Sequence, residues 1–272
     1  VTDRYAVFGN PIGHSKSPFI HRSFAAQFDD DISYEAIEAP QDGFRNRLDQ
    51  FISEGGRGIN ITVPFKTDAF AAADDRREGA ALTGASNCLK FEDGRIIAEN
   101  FDGVGLLRDI ADNLGQAVSG KRVLFLGAGG ATRGAALPIL RAGAAQVVVA
   151  NRTVAKAQAI ADELARFGEI RATGYDALGA GHDIVLNATS ASLFNTRPQV
   201  ADAVFEGAGL AYDLVYAKGL TGFLRQAQGT GVPVLADGVG MLVEQAAEAY
   251  AWWRGQRPDT AALIRDLTVP LV

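Results

Sequence analysis

The stretch Val123-Leu124-Phe125-Leu126-Gly127-Ala128-Gly129-Gly130-Ala131-Thr132-Arg133-Gly134 decides the fold. An apolar strand runs into a glycine-rich turn, and the turn opens a helical pattern. Glycines there remove Cβ atoms, so the backbone can turn tightly and present N–H groups to a pyrophosphate at the start of a helix. The third position of the glycine fingerprint holds Thr132 rather than Gly or Ala, and glycine turns also follow strands for packing reasons alone. The context strengthens the dinucleotide reading. A second apolar strand, Val147-Val148-Val149-Ala150, ends at Asn151-Arg152-Thr153. A carboxylate at that end would accept the ribose 2′-hydroxyl of NAD; the planar, permanently charged fork of Arg152 suits a 2′-phosphate. The residues therefore point to NADP(H). Lys156, in the next helix, is either a second phosphate contact or a solvated lysine.

Outward from this stretch, β and α patterns alternate. Strands are expected at 122–126, 146–150, 184–187, 210–213 and 232–236, with helices at 133–142, 154–166 and 222–229. This is the pattern of a Rossmann-like parallel sheet. A separate α/β region precedes it. Its strands are expected at 5–9, 34–37 and 58–63, its helices at 18–28, 44–53, 65–73 and 78–82. A hairpin is expected from 87–91 and 95–98 around Glu92-Asp93-Gly94. A helix over about 105–114 leads into the second region, and tail helices at 239–253 and 260–267 are expected to pack back on the first sheet. The fold class is α/β with two domains. An N-terminal substrate domain with a mostly parallel sheet spans 1–103 plus 240–272, and a Rossmann-like NADP-binding domain spans 104–239.

Composition excludes other classes. Hydrophobic residues make up 47% and charged residues 21% of the 272, as in a globular enzyme rather than a disordered chain. No apolar run approaches the roughly 20 residues that span a bilayer, and no secretory pattern opens the sequence. The single cysteine, Cys88, excludes an internal disulfide and fits a reducing cytoplasm. Three histidines and that cysteine leave little for a metal site, and none is expected. The net charge of −6 argues against nucleic-acid and membrane partners.

Further candidates lie in the first region. Asn60-Ile61-Thr62-Val63-Pro64-Phe65-Lys66 alternates as a strand until Pro64 stops the ladder, which puts Lys66 near the strand's carboxyl end. Parallel α/β sheets collect ligands there. A lysine so placed can move a proton, or can simply snorkel at a helix start. Asn87 and Asp102 sit in turn-like stretches, where both types routinely cap. In Ser15-Lys16-Ser17-Pro18, Ser17 is either an N-cap before a first-turn proline or, with Ser15, a ligand for a carboxylate.

Taken together, these segments resemble the shikimate dehydrogenase family. The resemblance rests on Phe8-Gly9-Asn10-Pro11-Ile12, on His14-Ser15-Lys16-Ser17-Pro18, and on Asn60 to Lys66. It continues through Asn87, Asp102-Gly103, Gly127 to Arg133, Asn151-Arg152-Thr153 and Asn187-Ala188-Thr189-Ser190, and ends with Asp237 to Gln245. It implies reversible reduction of 3-dehydroshikimate to shikimate by NADPH on the route to chorismate and aromatic amino acids. It implies that Ser15 and Ser17 hold the substrate carboxylate, and that Thr62, Lys66, Asn87, Asp102 and Gln245 surround the ring hydroxyls. Lys66 and Asp102 are the implied catalytic pair. Gly127, Ala128, Gly129, Gly130, Ala131, Asn151, Arg152, Thr153 and Lys156 are assigned to the cofactor, as are Ala188, Thr189, Ser190, Tyr216, Gly238 and Met241. The partners expected are these small molecules, with the chain a monomer or homodimer.

Four residues depart from the family pattern. Phe101 replaces the usual threonine before Asp102, Cys88 the threonine after Asn87, Ser86 a valine, and Ser192 a glycine. They are either drift with compensating repacking or, for Phe101, a narrowing of the substrate pocket. Two rival functions stand beside the main one: an NAD-preferring quinate/shikimate dehydrogenase, which Arg152 disfavours, and a non-catalytic NADP-binding regulator, which the presence of Lys66 and Asp102 disfavours.

Overall fold

The computed structural model describes residues 2–216 and 219–271. The chain divides into two compact units. One comprises the residues up to Gly105 with Val243–Arg265; the other comprises Leu106–Leu242 with the residues from Asp266 on.

In the first unit the strands are β1 (Asp3–Gly9), β2 (Ile32–Glu38), β3 (Gly56–Ile61), β4 (Asp75–Arg76), β5 (Cys88–Glu92) and β6 (Arg95–Glu99). The helices are α1 (Ser17–Phe28), α2 (Phe44–Ser53), α3 (Lys66–Ala72), α4 (Glu78–Thr83) and the start of α5 (Asp102–Arg108). The sheet order is β2-β1-β3-β5-β6-β4. Three of its five pairings are parallel, and the β3–β5 and β5–β6 pairs are antiparallel. The hairpin turns at Asp93 and Gly94, both at positive φ. Phe8, Leu48, Phe51, Ile59, Phe65 and Leu89 fill one face of the sheet. Tyr5, Val7, Ile12 and Tyr34 fill a second cluster, against which Trp253 packs.

In the second unit a π turn (Asp109–Asn113) continues α5 and replaces the last part of the single helix expected over 105–114. The strands that follow are β7 (Arg122–Leu126), β8 (Gln146–Ala150), β9 (Ile170–Thr173), β10 (Ile184–Asn187), β11 (Leu210–Asp213) and β12 (Val234–Ala236). Their helices are α6 (Gly130–Arg141), α7 (Val154–Leu164) and α8 (Gly222–Gly229). All five pairings are parallel, in the order β12-β11-β10-β7-β8-β9. Numbered within the unit this is 6-5-4-1-2-3, the dinucleotide-binding topology, whose order reverses between β7 and β10. Strand β9 has no counterpart among the expected strands; four edge residues with a polar Arg171 carry too short an alternation to register. Strand β12 starts at Val234, after Pro233, because proline cannot donate to a ladder.

Helix α9 (Val239–Arg254) and helix α10 (Ala261–Leu267) close the chain. Most of both belongs to the first unit. The residues after Arg265, expected there too, group instead with the second, because Leu271 packs against the apolar cluster of Phe205, Phe223 and Leu224. Among the described residues no helix is long and apolar enough to cross a membrane.

Candidate active site

In the first unit, β3 delivers Thr62 and Lys66 to the start of α3, and β5 and β6 deliver Asn87 and Asp102 beside them. Lys66 Nζ donates to Asp102 Oδ2 at 2.6 Å. The pair is partly open, with the lysine side chain 32% and the aspartate 20% exposed. The other Asp102 oxygen accepts from Asn87 Nδ2 at 2.8 Å, and the same amide nitrogen donates to Gln245 Oε1 at 3.1 Å. Asn87 Oδ1 accepts the Phe101 N–H at 2.9 Å. Asn87 therefore both organises the turn that presents Asp102 and bonds its carboxylate. Gly105 makes this possible: a Cβ there would stand 2.7 Å from the Gln245 backbone nitrogen, so only glycine lets α5 approach α9 this closely.

The two serines bracket the start of α1. Ser17 is buried, inside the first turn of α1, and its N–H donates to Ser15 Oγ at 3.3 Å. It is not the N-cap; Lys16 holds that position and makes no side-chain cap bond. The Tyr34 hydroxyl donates to Asn60 Oδ1 at 2.6 Å. Asn60 Nδ2 in turn donates to the Asn87 carbonyl at 3.4 Å. A continuous polar chain thus runs Tyr34–Asn60–Asn87–Asp102–Lys66. Sequence reasoning assigns neither Tyr34 nor Asn60 to the site. Burial pushes the Tyr34 phenol well above its usual range, so it works as a neutral hydrogen-bonding group. Thr62 is half-buried and its carbonyl accepts the Phe65 N–H, which turns the chain toward Lys66.

Phe101 and Cys88 lie in one apolar cluster with Ala249 and Trp252. The Phe101 and Trp252 rings meet edge to face, 5.7 Å between centroids. Ser86, also buried, donates to two backbone carbonyls, those of Cys88 and Glu99. Ser86, Cys88 and Phe101 therefore pack behind the Asn87–Asp102 array.

In the second unit, a pocket of about 530 Å³ opens at the carboxyl ends of β7, β8 and β10, at the order reversal. Gly127, Ala128, Gly129, Asn151, Arg152, Thr153, Lys156, Ala188, Thr189 and Ser190 line it. Gly127 sits at φ 107°, and a Cβ there would be 3.0 Å from Thr189 Cγ2, so both conformation and space demand glycine. Thr132 is fully buried and its hydroxyl donates to the Gly127 carbonyl at 2.8 Å. It locks the turn from the helix side, which accounts for its place in the fingerprint. Helix α6 starts at Gly130, three residues before the expected position, so the Gly129 and Gly130 amides lie at its N-terminus. The Arg152 guanidinium stands close enough to Tyr175 to oppose the rise that burial imposes on its phenol.

Gly130, Ala131, Tyr216, Gly238 and Met241 lie outside the pocket lining. Gly238 packs against the end of β11, where a Cβ would be 2.2 Å from the Leu214 carbonyl oxygen. The Met241 N–H donates to the Tyr212 hydroxyl at 3.2 Å, and that hydroxyl donates to the buried Asp109 at 2.7 Å. A Cβ on Gly240 would come within 1.9 Å of the same carboxylate. Sequence reasoning missed Asp109 and Tyr212, and in the pocket it missed Tyr175, Phe194 and Arg197.

Family models match most of the chain. They are described as shikimate dehydrogenase substrate binding domain over residues 7–89, shikimate / quinate 5-dehydrogenase over 109–209, and shikimate 5′-dehydrogenase C-terminal domain over 238–266. A shikimate dehydrogenase (NADP(+)) of Chromobacterium violaceum is 53% identical over 261 residues, which is 96% of both chains. The chain belongs to the shikimate dehydrogenase family. Among solved structures, an Ael1 enzyme from Pseudomonas putida is 57% identical over the whole of both chains, with a TM-score of 0.96. A shikimate 5-dehydrogenase from Thermus thermophilus, solved in complex with NADP(H) and shikimate, is 32% identical, with a TM-score of 0.86 and coverage of 97% and 98%. The family thus shares the α/β architecture of both units.

Proposed function

We propose that this chain catalyses the reversible reduction of 3-dehydroshikimate to shikimate with NADPH. The observation that carries the reading is the Lys66–Asp102–Asn87–Gln245 array, a partly open ammonium–carboxylate pair backed by two buried amides, in a member of this family. The second unit fits the cofactor. Its turn has open space beside Gly129 and Gly130, which leaves room for a pyrophosphate against the start of α6, and Arg152 and Lys156 suit a ribose phosphate.

The chain's own groups then have distinct tasks. Ser15 and Ser17 hold the substrate carboxylate with hydroxyl donors. Asn87 and Gln245 supply amide hydrogen bonds to ring hydroxyls, and Thr62 a hydroxyl. When bound, the reduced nicotinamide supplies a hydride to the carbonyl carbon. Lys66 Nζ faces the charge that develops on the carbonyl oxygen and gives it a proton; in the reverse direction it takes that proton back. Asp102 accepts from a substrate hydroxyl and keeps the ammonium aimed. Arg152 supports NADP(H) over NAD(H), and Cys88, buried and free of disulfide, accords with the cytoplasm.

A matrix of shikimate or quinate with NADP⁺ or NAD⁺, followed by nicotinamide absorbance, tests the proposal. Shikimate with NADP⁺ is expected to give the largest kcat/KM. Preference for quinate with NAD⁺ would establish the catabolic rival, and no turnover in any cell of the matrix would establish a regulator.

A further inference from the structure

Three cations line the second unit's pocket, Arg152, Lys156 and Arg197, and no carboxylate does. This occurs in a chain of net charge −6. None of the three forms an ion pair among the described residues. Arg133, in the first turn of α6, is by contrast already paired with Glu163. Arg152 comes from the turn after β8 and Lys156 from the first turn of α7. Arg197 comes from the opposite wall, the segment that follows β10. Uncompensated cations on two walls focus a positive potential on whatever lies between them.

The segment that carries Arg197 is tied at both ends. Ser192 accepts from Asn187 Nδ2 at 3.3 Å and donates to Asp213 Oδ2 at 2.6 Å. Asp213, wholly buried at the end of β11, also accepts from Asn187, from Thr221 and from the Val215 N–H. At the far end the Val200 carbonyl accepts from Gln226 Nε2 at 2.9 Å. Between these ties the chain reverses at Asn195, at φ 52°, and the Thr196 hydroxyl and N–H both return to the Ala191 carbonyl. A long cationic side chain on a tethered loop loses less entropy on meeting an anion than one on a free loop. The Ser192 hydroxyl supplies the first of these ties.

We propose that Arg197 is a third cation for the ribose 2′-phosphate of the cofactor, held at the pocket by the Ser192–Asp213 hydrogen bond. The assignment to the 2′-phosphate follows from supply and demand. Backbone amides of the glycine turn serve the pyrophosphate, whereas the 2′-phosphate, close to dianionic at neutral pH, calls on side-chain cations. The inference rests on the reading that this pocket takes NADP(H).

Calorimetric titration of the full chain with NADP⁺, NAD⁺, 2′,5′-ADP and 5′-AMP tests it. Arg197→Gln is expected to weaken NADP⁺ and 2′,5′-ADP about 10-fold and to change NAD⁺ and 5′-AMP less than about 2-fold. Ser192→Gly is expected to show the same selectivity at about 3-fold. Unchanged NADP⁺ affinity in Arg197→Gln overturns the proposal, and so does an equal loss for both dinucleotides, which would place the guanidinium on the pyrophosphate. Selective loss in Arg197→Gln with none in Ser192→Gly overturns the role of the serine tie. A wild-type chain that binds neither NADP⁺ nor 2′,5′-ADP would instead sink the reading of the pocket itself.

Discussion

His21 should make this protein lose stability steeply below neutral pH. The imidazole is fully buried on α1, stacked on Tyr34 with 4.2 Å between ring centroids and packed near Phe24, Tyr250 and Trp253. Burial lowers its pKa from 6.5 to about 3, and the Asn60 side chain opposes that only in part. The folded protein therefore keeps this ring neutral while the unfolded chain takes up a proton below pH 6.5. More protons on the unfolded state mean that stability falls as pH falls, at about 1.4 kcal/mol per unit, between pH 6.5 and about 3. Relative to neutral pH the cost of this one group is about 1.4 kcal/mol at pH 5.5 and about 2.7 kcal/mol at pH 4.5. His21→Phe keeps an aromatic ring in the stack and removes the proton. Urea unfolding of both proteins at pH 7.5, 6.5, 5.5 and 4.5 isolates the effect, because groups titrating elsewhere, including His182 with its own lowered pKa of about 4, act alike in both. The difference between the two proteins should grow in the variant's favour by the amounts given. Parallel curves from pH 7.5 to 4.5 would refute the argument, whatever the offset between them.

Other perturbations test the array and its supports. Lys66→Ala should lower kcat by about 10²- to 10⁴-fold with a smaller change in the KM for shikimate; an unchanged kcat removes Lys66 from the chemistry. Gly240→Ala forces a methyl into the Asp109 carboxylate that orients Tyr212, and should destabilise by about 3 kcal/mol or more in urea unfolding. A stable Gly240→Ala protein would mean that this contact relaxes freely. Phe101→Thr empties part of the cluster shared with Trp252 and should cost about 2–4 kcal/mol of stability. It should also change kcat/KM for shikimate, because the emptied cluster backs the turn whose backbone N–H at 101 holds Asn87; an unaltered kcat/KM confines Phe101 to packing.

The second unit was legible because its strands are short apolar runs with glycine or polar ends, and its glycine turn has a local physical cause. Lys66, Asn87 and Asp102 were visible as residue types in turns, but their meeting is a long-range event. Nothing in local spacing ties position 66 to position 102. Tyr34 and Asn60 were hidden for the same reason: on strands β2 and β3 their side chains read as alternation, and only the sheet brings the hydroxyl to the amide. Arg197 lies in a polar loop without periodicity, so no pattern distinguishes it from a solvated arginine. The role of Asp109 is equally hidden, because its partner Tyr212 lies 103 residues away.

The enclosure shared by Cys88, Phe101, Ala249 and Trp252 has a consequence for how this chain diverged. Side chains in one sealed space answer for one another's volume, so their substitutions are epistatic. A threonine restored at 101 alone leaves a void beside a thiol. A bulkier residue arriving at 88 alone meets the phenylalanine ring. Substitutions at 88 and 101 should therefore not add, and a double-mutant cycle between them should return a coupling energy rather than zero.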